Sequence, residues 1–134
     1  MRIQIKNAGS ALLITVFAVA MLAVLTIGIL QLNTEELQIV SNQICAAQAM
    51  TTAESGLNDA FAQFRTDPNW TSGFSDKLFF DDSYTVAVAG AFPNFTITST
   101  GVTAAGFTAR MIADVTIGTF APYVVRIDEL RINE

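Results

Sequence analysis

The chain has 134 residues, a mean hydropathy of +0.45 and a formal net charge of −5, which leaves room for one small domain beside a membrane segment. A single cysteine (Cys45) and no histidine exclude an internal disulfide, a thiolate zinc cluster and the usual general base, so no metal, no cofactor and no enzymatic activity are expected. Arg2 and Lys6 precede every acid, the rest of the chain is acidic, and that balance without a basic patch argues against nucleic acid as a partner.

From Gly9 to Leu30 no side chain is charged, and the apolar run 8–32 is interrupted only by the polar residues Ser10, Thr15, Thr26 and Gln31. At about 1.5 Å per residue such a helix crosses a hydrocarbon core of about 30 Å. Ala18-Val19-Ala20 has the small-x-small pattern of a secretory cleavage site, but Met21 to Leu32 stays apolar beyond it, so removal as a simple signal peptide is not expected. Arg2 and Lys6 on the leading side put the N-terminus in the cytoplasm and the remainder outside. Within the run, Ala20, Ala23 and Ile27 stand three and four apart, on one face where another helix could approach closely.

Thr34-Glu35-Glu36 opens a segment with apolar or small residues at Leu37, Val40, Ile44, Ala47, Met50, Leu57, Ala60, Phe61 and Phe64, mostly at helical spacing. No proline occurs before Pro68. The reading is one helix from about residue 10 to about 65: a transmembrane half (10–33) and an amphipathic half (34–66). Cys45 is expected to pack on that helix as a small apolar residue.

Asp67 to Gly73 is a break and loop. Tyr84 to Ala89 is a strand candidate, closed by Gly90 to Asn94, and Phe95 to Thr100 alternates apolar and hydroxyl side chains. Gly101 to Gly106 offers a turn, Phe107 to Ile117 a return strand, and Tyr123 to Ile127 a fourth strand. The predicted fold class is therefore α+β, a long N-terminal helix packed on a small antiparallel sheet (67–134). Leu57, Phe61 and Phe64 are expected to meet Val86, Ile97 and Val115 there. Trp70 is the best single candidate for a surface contact, with core packing the stronger expectation. Asp76, Asp81 and Asp82 lack the spacing of a calcium loop and read as solvated, as do Asp128, Glu129 and Glu134.

A short basic leader ending in Gly9, the opening Gly9-Ser10-Ala11-Leu12-Leu13, an amphipathic extension and a small sheet together resemble type IV pilins and the pseudopilins of type II secretion systems. Thr52-Ala53-Glu54-Ser55-Gly56-Leu57, with the hairpin stretch Ile97-Thr98-Ser99-Thr100-Gly101 and Arg110, is similar to minor pilins of the PilX kind. The resemblance implies that prepilin peptidase removes residues 1–9, leaving Ser10 as a new, methylated N-terminus. It further implies a structural subunit that primes or caps a filament, with an inner-membrane assembly platform and other pilin or pseudopilin subunits as partners and lipid as the surroundings before assembly. The expected location is the bacterial inner membrane, then a periplasmic or extracellular filament. One departure stands out. Major pilins carry a glutamate as the fifth mature residue, where this chain has Ile14, and no acid occurs between Gly9 and Glu35. That departure favours a sparingly used subunit over a repeating one. The alternative is an uncleaved single-pass membrane protein with an exported module that binds a ligand or partner.

Overall fold

The computed structural model describes residues 6–133, with side chains placed from Gly9 onward. Most of the expected leader, Arg2 included, and Glu134 lie outside the described residues. Among those described are one helix, α1 (Lys6–Thr66), and five strands: β1 (Phe74–Phe79), β2 (Asp82–Ala91), β3 (Asn94–Val102), β4 (Thr108–Ile117) and β5 (Val125–Ile132). The strands form one antiparallel sheet in the order β1-β2-β3-β4-β5, and the chain is an α+β fold with a long N-terminal helix on that sheet. It divides into two compact units, Met1–Ser41 and Asn42–Glu134, with the boundary inside α1 rather than at the helix's end.

In the first unit the apolar side chains of α1 have no partner within the chain. Leu13 is 72% exposed, Val24 70% and Leu30 64%. This is a helix long and apolar enough to cross a membrane. Its polar interruptions are satisfied locally. Thr15 Oγ1 donates to the carbonyls of Ala11 and Leu12, and Thr26 Oγ1 to those of Leu22 and Ala23, which keeps their hydroxyls from facing hydrocarbon unpaired.

In the second unit α1 ends where Pro68 cannot continue it. The Asp67 amide still bonds the Gln63 carbonyl, and Asp67 Oδ1 accepts from the Asn69 amide at 2.9 Å, turning the chain away. The buried line on the helix is Ala49, Thr52, Ala53, Gly56, Leu57, Ala60 and Phe64, at spacings of one to four that keep them on one side. This corrects the expected stripe. Leu57, Ala60 and Phe64 are buried and Phe61 is half-buried against the core, but Leu37, Val40, Ile44, Ala47 and Met50 are exposed. Size decides the difference. The sheet covers α1 where small residues let two backbones come close, not where the bulkiest apolar residues stand.

Two glycines define that approach. A Cβ on Gly56 would strike Ser99 Oγ and come within 2.9 Å of Tyr84 Cδ2. One on Gly101, in β3, would strike the Ala49 carbonyl oxygen and lie 3.0 Å from the Thr52 carbonyl carbon. Between them, Ser99 Oγ donates to the Ala53 carbonyl at 2.7 Å, a buried hydroxyl satisfied across the interface. Val86, Ile97, Val115, Ala113 and Ile117 complete the core from the sheet side.

The sheet also corrects the strand assignments. β1 was not expected, and with it the sheet has five strands. Only Phe74 and Phe79 of Phe74–Phe79 are even partly covered, so no alternation marks it in the sequence. Gly101 and Val102 belong to β3 rather than to the following turn, which tightens to Thr103–Phe107: the Thr103 amide donates to Phe107 O, and the Phe107 amide to Thr103 Oγ1. The last strand runs to Ile132, well beyond Ile127, with a bulge opposite Asp114 and Val115.

Candidate functional site

Three surfaces carry the chemistry, and each is set by a local feature. The first is the start of α1. Gly9 and Ser10 are both exposed, and a Cβ on Gly9 would meet nothing within 4 Å. No packing within the chain requires glycine there. Further along, Ala20 sits in an apolar notch of about 400 Å³ bounded by Phe17, Met21, Val24 and Leu25. Phe17, Ala20, Met21 and Val24 stand at i, i+3, i+4 and i+7, the four-residue diamond into which a knob from another helix fits. Ala20, Ala23 and Ile27 are all exposed, Ile27 at 58%.

The second is a set of polar ties that hold the sheet to α1. Asp59 Oδ2 accepts from both Lys77 Nζ on β1 and the Tyr84 hydroxyl on β2. The Lys77 ammonium also lies 4.6 Å from the Phe74 ring centroid. On the same side, Asp82 Oδ2 accepts from Thr52 Oγ1 at 3.2 Å while Oδ1 accepts from the Ala104 amide at 3.0 Å. Asp82 is thus a staple between helix, β2 and the β3–β4 turn rather than a solvated loop residue. Sequence reasoning missed both ties, because neither partner is close in the chain.

The hydrogen bond from Lys77, and then that from Tyr84, hold the Asp59 carboxyl below its ordinary pKa. A depressed folded pKa contributes stability that is complete above the unfolded value, about 3.9, and is lost as pH falls through the folded one. Side chains of Lys77 and Asp59 are 47% and 40% exposed, so the tie contributes about 1 kcal/mol or less. Asp114 and Asp128 are held down in the same direction, mainly by Thr96 and Thr116. The urea midpoint read from Trp70 fluorescence should therefore fall as pH drops below about 4. Asp59→Asn should flatten that decline without abolishing it, and an identical acid profile in the variant would mean that the tie does not form.

The third surface is the β1–β2 turn. Phe79 pairs with Asp82, so Phe80 and Asp81 form a two-residue hairpin turn. Phe80 has φ +55°, a left-handed conformation for which hairpin turns favour glycine, and its ring is 89% exposed. Leu78 beside it is 77% exposed. Behind the turn lies a groove of about 630 Å³ whose walls include Ile44, Ala47, Phe79, Ala104 and Ala105. Phe80→Gly should raise the stability of this unit by about 1 kcal/mol, since a left-handed non-glycine residue costs roughly that much. A lower urea midpoint in the variant would show instead that the ring supports the fold.

Trp70, the expected surface contact, is half-buried: its ring stands 5.6 Å edge-on from Phe64 and 5.1 Å from Phe74, closing the end of the core. Cys45 is partly exposed on α1. Among the described residues no group of acidic, cysteine or histidine side chains gathers as metal ligands. Comparison with protein-family models, with curated proteins and with solved structures returned no match.

Proposed function

We propose that the protein is a minor pilin or pseudopilin, a structural subunit that primes or caps a type IV pilus or a secretion pseudopilus after its leader is removed. The observation that supports this most is the condition of α1: its apolar first part is exposed all round, while its last four turns are clamped to the sheet by small residues. Such a helix serves first as an anchor in lipid and later as packing surface for neighbouring helices, with the Ala20 notch and the Ala20–Ala23–Ile27 face as contacts. The orientation follows from Arg2 and Lys6 ahead of the span and the acidic remainder beyond it, N-terminus cytoplasmic and sheet outside. Prepilin peptidase and an inner-membrane assembly platform are the implied partners; no nucleic acid is among them.

Processing tests the reading. Membrane-extracted wild-type protein should begin at Ser10, and Gly9→Val should yield a chain heavier by residues 1–9 that stays in the membrane. Because valine at that position touches nothing else in the chain, a block would reflect exclusion by the peptidase rather than misfolding. A second reading is favoured by Ile14 and by the absence of any acid up to Glu35: an uncleaved single-pass protein whose sheet unit binds an envelope partner. Wild-type protein that retains Met1 would establish it over the first.

A further inference from the structure

We propose that the β1–β2 turn is a lipid contact, with Leu78 and Phe80 resting in the interfacial zone of the bilayer that holds α1. The proposal rests on membrane anchoring alone, which both readings above share, and not on leader removal or filament assembly. Four observations carry it.

Exposure comes first. Leu78 and Phe80 are 77% and 89% exposed, and a bulky aromatic at positive φ is kept where glycine would relieve the backbone. An exposed ring held at a conformational cost points to a contact made outside the chain. Placement comes second. The turn lies along Ile44, Ala47 and Gln48, at the end of the second unit where α1 enters it. The other bare aromatic of that unit, Phe120 at 85%, follows β4, whose last residue Ile117 bonds Pro93 at the opposite end of the sheet. Only the first of these ends is tethered to the span.

Continuity is third. Leu37, Val40 and Ile44 stand three and four apart in α1 and are 71%, 51% and 54% exposed, and the last of them lines the groove behind the turn. An apolar line on a helix that leaves a membrane is the pattern of a face that lies against the acyl–headgroup boundary. Charge is the fourth, and selects the lipid. Asp81 and Asp82 follow the ring in the chain, while the nearest cation in sequence, Lys77, is held by Asp59. A surface of this sign suits zwitterionic headgroups and gains nothing from anionic ones.

The test uses the full chain reconstituted into phosphatidylcholine vesicles whose acyl chains are brominated close to the headgroup. Trp70→Phe removes the native tryptophan, and single tryptophans are then introduced by Leu22→Trp, Leu78→Trp, Phe80→Trp or Phe120→Trp. A cooperative thermal melt by circular dichroism qualifies each chain, and Leu78→Trp leaves the strained residue itself unaltered. The Leu22→Trp chain reports insertion of the span. The expected result is loss of most emission at positions 22, 78 and 80, with position 120 unquenched. Quenching at 22 without quenching at 78 and 80 overturns the proposal, as does equal quenching at 80 and 120. No quenching at 22 removes the span itself, and the proposal with it. A blue shift at 80 that grows with protein density and ignores bromine assigns the turn to a second copy of the chain, and overturns the lipid contact.

Discussion

Gly101→Ala is expected to cost about 3 kcal/mol or more, a penalty at or above the upper end for overpacking a well-filled core. The added carbon has nowhere to go. Its nearest neighbours are the Ala49 carbonyl oxygen, the Ala53 amide nitrogen and the Thr52 carbonyl carbon, all backbone atoms of a helix that has no rotamer to change. Relief requires α1 to lift from β3, and lifting it also breaks the Ser99 to Ala53 bond and the Thr52 to Asp82 bond. In a unit of this size the loss is a large share of total stability. Urea unfolding of the detergent-solubilised chain, followed by Trp70 fluorescence, should show a midpoint far below wild type. Gly101→Val should show no folded baseline. A wild-type midpoint for the alanine variant would mean that helix and strand are further apart than described.

Phe64→Ala should be comparably damaging for the opposite reason. Phe64 is fully buried, its ring 4.9 Å from Phe95 and 5.6 Å from Trp70, and removing it leaves a cavity at the end of the core that nearby backbone cannot collapse into. Truncating a buried phenylalanine typically costs about 3–5 kcal/mol. The effect has its own signature, because the ring under Trp70 disappears. Trp70 emission should shift to the red in the native state, before any denaturant is added. Phe61→Ala, at a half-buried position one turn away, should do much less. Equal losses at 61 and 64 would contradict the burial difference on which this expectation rests.

Much of the fold is legible in the sequence wherever one residue's environment repeats. The uncharged run 9–30 announces a helix that no small sheet could bury. The alternation in Phe95 to Thr100 and in Phe107 to Ile117 places β3 and β4 to within a residue or two, because each strand has one face on the core and one in water. The same logic fails for β1, which is exposed on both faces and held by a salt bridge and an edge pairing instead. It fails also on α1. Hydrophobic periodicity ranks Leu37 and Ile44 above Ala49, Gly56 and Ala60, yet contact depends on how near two backbones can come, and that favours the smaller residues. The polar ties of Asp59 and Asp82 were invisible because their partners lie 18 to 30 residues away. Gly9, by contrast, is legible only through resemblance, since within the chain nothing constrains it.

The order of the sheet, β1-β2-β3-β4-β5, means that every strand pairs only with its neighbours in the chain. Nothing must wait for a distant segment to arrive. A chain crossing a membrane from its N-terminus delivers α1 first, then each strand in the order in which it is needed, and the closure of each hairpin fixes few residues at a time. The small-residue line from Ala49 to Phe64 is already in place as a template when β2 and β3 emerge. Assembly can therefore proceed during export, and the segment last to leave the translocation channel, β5, is also the last whose partner edge is completed.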